Sequence, residues 1–530
     1  MRQSARLYAL AGALLALAAT VDLSAPRNAH ANLTCSQSAI QAIAPKSVSI
    51  TSAQETTLGS PFTASYCAVI GTITTLNPGP NQVGFEVDLP DTWNGRLAFF
   101  GNGGFAGTLQ AVGTTAYDAT LQGGFAVAAT DTGHVSTAPV PDLDGSFLLN
   151  NLAKTEDFAF RSVHVSTQTA KALIAAYYSS AADFSYYLGC STGGRQGLVE
   201  AQLYPDDFDG LSVGDPAISD PIAGFNWNDQ ALLATADSWL SPDNIQLLDS
   251  SVLAECDGLD GVVDGLIQDP RKCNFDPTTI ECANDNVTGC LNADQVTALH
   301  KIWSGAKSSN GQQLYPGYMQ SDPAGADGWE AWITGFTAPT LGVAEPWGTS
   351  IYPLQFVFQD QYMKFSVFSN PAYDSLDFSF NNAKGNVSKL VANVARWGSN
   401  GLNPNLWPLV HHGHKLLMYH GWSDPALTPL VSVQYYLSVN AAIGNNLTRT
   451  RQTARLFMVP GMHHCAGGPG PNTFDPLTPL MGWVEGGVAP DGIIATNPDT
   501  SRTMPLCAYP ETAHYDGTGP VDVASSWTCH

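Results

Sequence analysis

The sequence predicts an α/β fold in which a doubly wound, mainly parallel sheet is interrupted by a large insertion. Short apolar runs alternate with segments of helical periodicity up to about residue 217, and this alternation returns at residue 415. Between the two parts the rhythm is lost, and helical pieces are separated by loops rich in Gly, Pro and Asn. We therefore predict a core domain formed by residues 32–217 and 404–530, with residues 218–403 inserted as a lid domain.

The first part of the chain supplies three predicted strands and two predicted helices. Residues 97–100, 125–129 and 184–188 are apolar runs bounded by turn-forming residues, as expected of buried strands. Apolar residues recur at helical spacing in residues 160–179, and residues 196–204 have a helical pattern after the third strand.

The lid and the second part of the core are predicted from the same signals. Ser241 and Asn292 are residue types that cap helix N-termini, and each precedes a helical pattern in the lid. The predicted elements are helices at residues 242–254, 293–304 and 429–439 and strands at residues 415–419 and 455–459.

Composition limits the class of partner. At 530 residues the chain exceeds one ordinary domain, and its 44% of hydrophobic and 13% of charged residues provide ample material for a core. The formal net charge of -24 repels nucleic acid and anionic membranes, so we expect neither as a partner and favour a small uncharged substrate. The alternative is that the charge only keeps the protein soluble outside the cell.

The N-terminus has the pattern of a signal peptide. A positively charged start precedes an apolar stretch at residues 7–19, and Ala29-His30-Ala31 is a small-x-small cleavage site. We predict that residues 1–31 are removed. The apolar stretch is short for a membrane span, so we expect a secreted protein, or a periplasmic one in a Gram-negative bacterium.

The ten cysteines are an even number, which fits five disulfides in an oxidising compartment. A metal or redox site would favour C-x-x-C spacing, and the sequence contains none. Proximity in the sequence suggests four pairs: Cys35–Cys67, Cys256–Cys273, Cys282–Cys290 and Cys507–Cys529. Cys190 and Cys465 remain.

The segment Gly189-Cys190-Ser191-Thr192-Gly193 fits the G-x-S-x-G pattern. It lies between an apolar strand and a helical segment, which is the context of a nucleophile elbow, a sharp turn that holds a serine hydroxyl above the end of a sheet. The alternative is an ordinary Gly-rich turn. In this context the pattern predicts an α/β-hydrolase fold with Ser191 as the nucleophile.

A serine hydroxyl needs a base, and two later strand ends supply candidates. In this fold an acid and then a histidine follow the serine along the chain. Asp424 follows the strand predicted at residues 415–419, and His464 follows the strand at residues 455–459. We predict His464 as the base and Asp424 as the acid that orients it, with His463 as the competing base.

The two remaining cysteines flank these residues, because Cys190 precedes Ser191 and Cys465 follows His464. A disulfide between them would tie the nucleophile turn to the base loop, where an error of about 1 Å is costly. The alternative, that Cys190 is itself the nucleophile, is disfavoured because an exposed thiol would be oxidised outside the cell.

Backbone amides are expected to bind the oxyanion of an acyl-transfer reaction. The Thr192 N–H directly follows the nucleophile and supplies the first donor. The second donor is expected at the end of an earlier strand, in Gly101-Asn102-Gly103-Gly104, where we favour Gly104 over Gly103.

Together these motifs resemble those of the tannase and feruloyl esterase family. The resemblance rests on Gly189-Cys190-Ser191-Thr192-Gly193-Gly194-Arg195, on His420-Gly421-Trp422-Ser423-Asp424 and on His464-Cys465. It spans nearly the whole chain after the leader. It implies an α/β-hydrolase core with a lid, a bond between Cys190 and Cys465, and hydrolysis of esters of aromatic acids.

Residues 256–266 of the lid are dense in Asp and Gly. The spacing is not that of an EF-hand. Even so, Asp257, Asp260 and Asp264 converge if the glycines turn the loop, and their oxygens suit Ca²⁺. The carbonyls of Val262 and Leu266 would complete the shell. The resemblance also implies calcium in such a loop, whereas the alternative is a solvated acidic turn. Nothing in the sequence connects this loop to catalysis, so we expect a structural ion.

The lid is rich in aromatic side chains, some of which we expect to line a pocket for a flat aromatic acyl group. It has no arginine between Arg271 and Arg396, although Lys364 could take the place of one. A substrate with a free carboxylate would favour arginine. We therefore predict a serine carboxylesterase acting on phenolic esters of the feruloyl type, with a galloyl ester or a terephthalate monoester as alternatives. A more remote alternative is a non-catalytic, calcium-dependent binding protein.

Overall fold

The computed structural model describes residues 33–283, 289–348, 352–396 and 401–530, so the predicted signal peptide lies outside the described residues. The strands in chain order are β1 (Val48–Thr57), β2 (Ser65–Thr75), β3 (Asn81–Pro90), β4 (Arg96–Phe100), β5 (Ala126–Thr130), β6 (Phe184–Cys190), β7 (Gly210–Gly214), β8 (Ala306–Lys307), β9 (Gln313–Tyr315), β10 (Lys415–Gly421), β11 (Ala454–Val459), β12 (Gly492–Thr496), β13 (Thr503–Cys507), β14 (Ala513–Tyr515) and β15 (Trp527–Cys529).

Nine of these strands form the central sheet, in the order β1-β2-β3-β5-β4-β6-β7-β10-β11. The pairs from β5 through β11 are parallel, whereas β1, β2, β3 and β5 pair antiparallel to one another. The predicted mainly parallel sheet is confirmed, and the antiparallel extension at its N-terminal edge is an addition.

The helices in chain order are α1 (Gln37–Ile43), α2 (Thr115–Gln122), α3 (Leu152–Glu156), α4 (Ser162–Tyr178), α5 (Thr192–Leu203), α6 (Pro221–Leu232), α7 (Pro242–Cys256), α8 (Ala293–Ser304), α9 (Leu354–Tyr362), α10 (Asn386–Arg396), α11 (Trp407–His412), α12 (Leu430–Ala442), α13 (Leu447–Thr450) and α14 (Leu477–Gly486). Within the described parts of the chain, no helix is both long and apolar enough to span a bilayer.

Helices cover both faces of the sheet. Side chains alternate along a strand, so successive residues of β10 enter different cores. Leu416 and Met418 pack in the core that includes α4, α5 and α12, and Leu417 packs in the one that includes α2 and α14. The central strands are therefore buried on both sides, as an α/β sheet requires.

The chain leaves the sheet after β7 and returns to it at β10, and the intervening segment carries α6 to α11 and the β8–β9 hairpin. The predicted N-caps in this segment are confirmed. Ser241 and Asn292 each form a capping box, with Asn244 and Gln295 as their partners. The limits of the lid domain at residues 218 and 403 stay a prediction.

Parallel strands end at the same edge of a sheet, so the loops after β4, β6, β10 and β11 meet there. These four loops carry the residues predicted for catalysis and for the oxyanion site.

Candidate active site

Ser191 lies in the turn between β6 and α5, with φ 63° and ψ −122°. The left-handed φ is uncommon for a residue with a Cβ and is expected at a nucleophile elbow. The turn is tight, because a Cβ on Gly194 would clash with the carbonyl oxygen of Gly214 in β7. The Ser191 N–H donates to that same carbonyl at 3.0 Å.

A disulfide joins Cys190 to Cys465, with Cα atoms 6.0 Å apart, so it connects the elbow to the loop after β11. The other four cystines join the pairs expected from sequence proximity, namely Cys35–Cys67, Cys256–Cys273, Cys282–Cys290 and Cys507–Cys529. With both sulfurs bonded, Cys190 has no thiolate to act as a nucleophile.

His464 and Asp424 are in direct contact, with His464 Nδ1 2.8 Å from Asp424 Oδ2. The other carboxylate oxygen accepts hydrogen bonds from the Ala426 and Leu427 amides at 2.7 and 2.9 Å. These amides hold the carboxylate in place, and the carboxylate fixes the ring so that Nε2 is the free nitrogen.

Two further residues surround this pair, and neither was assigned a role from the sequence. His420 Nε2 lies 3.1 Å from Asp424 Oδ2, and Asp215 accepts a hydrogen bond from the Gly421 amide at 2.8 Å. Both side chains are fully buried. Polar groups of Asp215, Asp424 and His464 lie within 4.8 Å of one another.

The buried charges set the protonation of these residues. Burial alone would raise the pKa of Asp424, but the charge of His464 and the hydrogen bonds from His420 and His464 outweigh it and lower that pKa. Burial alone would lower the pKa of His464, but the negative charge of Asp424 outweighs it and raises that pKa. Burial also raises the pKa of Asp215 to about 6. His464 therefore carries its proton more readily than an ordinary histidine does.

His463, the competing candidate for the base, has other partners. Its Nδ1 lies 3.2 Å from Asp327 Oδ1, and its Nε2 lies 3.1 Å from the Asp322 carbonyl oxygen. It is His464 that lines a cavity together with Ser191.

The two glycines considered for the oxyanion site differ in the structure. The Gly103 N–H donates to Gln110 Oε1 at 2.7 Å and is therefore occupied. Gly104 lines the cavity with a φ of 52°, and its carbonyl accepts from the Thr192 hydroxyl at 2.7 Å. Thr192 is the first residue of α5, where an amide has no acceptor within the helix. Gly104 and Thr192 are thus hydrogen-bonded to each other, and both line the cavity together with Ser191.

The cavity above Ser191 and His464 has mostly apolar walls. Its aromatic lining consists of Phe105, Phe158, Phe225, Trp332, Phe358 and Tyr362. The last four lie between β7 and β10, and the Trp332 indole meets the His464 ring edge-on at 5.0 Å between centroids. Aromatic side chains of the predicted lid therefore help to line the cavity, as expected.

Arg195 also lines the cavity, and it lies on α5, outside the lid segment in which an arginine was sought. Its guanidinium donates to the Ala159 carbonyl at 2.9 Å and stacks over Phe158 at 4.9 Å. Burial lowers its pKa to about 10, which leaves it charged at neutral pH. Within the described residues it forms no ion pair.

The acidic loop predicted to hold Ca²⁺ is turned by its own hydrogen bonds. Asp257 accepts from the amides of Asp264 and Gly265, at 3.1 and 2.9 Å, and Asp260 Oδ1 accepts from the Val262 amide at 3.0 Å. One oxygen of Asp260 and one of Asp264 are buried without a hydrogen-bond partner among the described residues. Such oxygens suit a hard divalent cation in their chemistry, but the carboxylates of Asp257, Asp260 and Asp264 do not all lie within 4.8 Å of one another as the loop stands.

Two neighbours of this loop were not foreseen. Arg502 Nη1 lies 3.5 Å from Asp264 Oδ2 and already supplies some positive charge. A Cβ on Gly461 would lie 2.7 Å from the Leu266 side chain. The loop therefore packs against the turn that leads to His464, and the structural role expected for its calcium stays a prediction.

Comparison with solved structures places this fold among known esterases. A structure of feruloyl esterase B from Aspergillus oryzae has a TM-score of 0.80 and 26% identity, over 92% of this chain and 98% of that one. The fold and the site together define a carboxylic ester hydrolase of the α/β-hydrolase type.

Comparison of sequences narrows this class to one family. The family model described as tannase and feruloyl esterase matches residues 67–530. A mono(2-hydroxyethyl) terephthalate hydrolase from Piscinibacter sakaiensis is 32% identical, over 89% of this chain and 86% of its own length. A probable feruloyl esterase B from Emericella nidulans is 30% identical, over 87% and 86%. The chain belongs to the tannase and feruloyl esterase family, which confirms the resemblance.

Proposed function

We propose that this chain hydrolyses esters of phenolic aromatic acids by a two-step acyl transfer. The observation that carries the proposal is the shared cavity, in which Ser191 and His464 lie beneath aromatic walls. An apolar slot of this kind suits a flat acyl group, and a serine beside a histidine suits attack on its ester carbon.

In the first step His464 Nε2 takes the proton of the Ser191 hydroxyl as its oxygen attacks the carbonyl carbon. Asp424 stabilises the imidazolium that forms. The N–H groups of Thr192 and Gly104 bind the oxyanion, which carries more charge in the transition state than the carbonyl does in the ground state.

His464 then returns the proton to the departing alcohol oxygen, and the acyl group stays on Ser191. In the second step a water molecule loses a proton to His464 and attacks the acyl-enzyme. The aromatic acid leaves, and Ser191 regains its hydrogen.

Covalent labelling tests whether the site is active. A fluorophosphonate should label the parent protein at Ser191, and Ser191→Ala should not be labelled. Rates on methyl ferulate, propyl gallate and mono(2-hydroxyethyl) terephthalate then rank the acyl groups. A protein that neither takes the label nor hydrolyses any of the three esters would instead support a binding function.

Arg195 favours a second candidate, a monoester that carries a free carboxylate. The buried Arg195 guanidinium lines the cavity, forms no ion pair with any residue that the structure describes, and could bind such a group. A relative of this chain is named for a terephthalate monoester. Two results would favour this candidate. In the parent protein, kcat/KM for the terephthalate monoester should exceed kcat/KM for methyl ferulate. In Arg195→Lys, kcat/KM for the terephthalate monoester should fall.

We also propose that Ca²⁺ binds the loop of Asp257, Asp260, Val262, Asp264 and Leu266. Asp260 Oδ2 supports it, because this oxygen is buried and has no hydrogen-bond partner among the described residues, and Asp264 Oδ2 has only the Arg502 guanidinium at 3.5 Å. The ion would supply positive charge that holds the loop together. Because Leu266 packs against Gly461, the ordered loop would also restrain the turn that leads to His464. Isothermal titration of the metal-free protein with Ca²⁺ tests the site, with Asp264→Asn as the variant that should bind more weakly.

The five cystines support export from the cytoplasm, since such bonds persist in oxidising compartments. We propose that the protein acts outside the cell or in the periplasm. N-terminal sequencing of the protein isolated from the medium or periplasm should begin near Asn32.

A further inference from the structure

Asp220 is a second carboxylate at the cavity, and the mechanism above does not use it. It lies between β7 and α6, where it caps the helix by accepting from the Ala223 amide through Oδ1 at 3.3 Å. Asp220 is only 8% exposed and lines the same cavity as Ser191.

The second oxygen of this carboxylate is Oδ2. Oδ2 is buried and has no hydrogen-bond partner among the described residues. Leaving such an acceptor unpaired is costly, and a donor on a bound molecule would remove that cost. Burial removes water from the carboxylate and raises the pKa of Asp220 to about 7, which the hydrogen bond from the Ala223 amide offsets only in part.

The chain also places Asp220 at a useful distance from the nucleophile. The Ala217 amide donates to the Ser191 carbonyl at 3.0 Å, so residue 217 lies against the elbow. Three residues of extended chain span at most about 11 Å. Asp220 is therefore within the reach of an aromatic acyl group whose ester carbon lies at Ser191.

We propose that Asp220 is a specificity-determining residue, whose Oδ2 accepts a hydrogen bond from a phenolic hydroxyl on the acyl ring of the substrate. This inference rests on the proposed function and adds which feature of the acyl group the cavity recognises. A phenolic O–H is a neutral donor that fits an apolar cavity. A methoxy group in its place has no hydrogen to give, and a free carboxylate would be repelled by Asp220.

The test compares kcat/KM for methyl 4-hydroxycinnamate with that for methyl 4-methoxycinnamate. The assay is run at pH 8, above the pKa of Asp220, so that its carboxylate is mainly charged. A hydrogen bond to a charged acceptor in a buried site discriminates by about 10- to 100-fold. We expect the parent protein to prefer the hydroxy ester by this factor. In Asp220→Ser the preference should fall to within about 3-fold, although serine still caps the helix.

Asp276→Ser is the matched control. Asp276 also caps a helical turn that begins with proline, but it is exposed and lies outside the cavity lining. It should keep the parent preference. If Asp220→Ser does not fold, as judged by near-UV circular dichroism, Asp220→Asn takes its place. The asparagine keeps both the cap and the shape, and the preference should again fall.

Two results would overturn the inference. One is a parent protein that hydrolyses both esters with similar kcat/KM, and the other is a folded Asp220 variant that keeps the parent preference. Either result leaves the esterase proposal standing. A parent protein that takes no fluorophosphonate label and hydrolyses neither ester would remove the proposed function and this inference with it.

Discussion

Replacing Asp215 by asparagine would remove one negative charge beside His464 and leave the shape of the side chain almost unchanged. Asparagine can still accept the hydrogen bond from the Gly421 amide through its oxygen. Asp215 is fully buried, but its pKa is raised only to about 6. At neutral pH the parent protein therefore carries the negative charge that the substitution removes.

The size of the effect follows from the separation of the groups. Polar atoms of Asp215 and His464 lie within 4.8 Å, and two unit charges at that distance interact by about 3.5 kcal/mol at an effective dielectric of ~20. The same pair in water would interact by about 0.9 kcal/mol. One pKa unit corresponds to about 1.4 kcal/mol, so the pKa of His464 should fall by between about 0.6 and 2.5 units.

The sign of the change in activity is fixed by the role of His464. The base must be neutral to accept the Ser191 proton, so activity rises as pH passes the His464 pKa. In the parent protein the nearby carboxylates raise this pKa. Asp215→Asn lowers it, and the acid limb of the profile of kcat/KM against pH should move to lower pH.

The assay is kcat/KM for methyl cinnamate between pH 4 and 9, because this ester does not titrate in that range. Asp243→Asn is the control, since it makes the same charge change at an exposed position at the start of α7. An acid limb of Asp215→Asn that stays in place or moves to higher pH would show that Asp215 does not act on the base.

Three other results are expected. Asp424→Asn should lower kcat about 10⁴-fold, because the amide favours the wrong tautomer of His464, and folded protein with near-parent kcat would contradict this. Removing the Cys190–Cys465 bond, which spans 275 residues, with serine at both positions should lower the free energy of unfolding by about 5 kcal/mol in denaturant titrations. It should also abolish activity in protein that is still folded, unlike removal of the bond that spans 8 residues. Adding Ca²⁺ at a hundred times its Kd should stabilise the metal-free parent by about 2.7 kcal/mol, and Asp264→Asn much less.

The strands that carry the site were predictable because each is a short apolar run that ends at turn-forming residues. β10 and β11 begin within one residue of the predicted positions, at Lys415 and Ala454. β1 was not predicted, because it is an edge strand whose second half is exposed and polar. Its pairing with β2 is set by tertiary contacts that local patterns do not report.

Three residues of the site were missed, one because its strand was not predicted and two because packing brings them there. Asp215 directly follows β7, a strand that was not predicted, and an acid shortly after a strand is the signal that pointed to Asp424. Arg195 and Asp220 enter the cavity only through the way that α5 and α6 pack beside it. Neither has a spacing that separates it from an ordinary helical residue.

The bond between the two neighbours of Ser191 and His464 has a consequence for the cell that makes the enzyme. While the thiols stay reduced, the attacking group and its base sit on two loops with no covalent tie between them. With the export proposed above, oxidation would lock them together, so hydrolysis would begin only once the chain has left the reducing compartment. The producing cell's own esters would thus be spared by the chemistry of its cytoplasm.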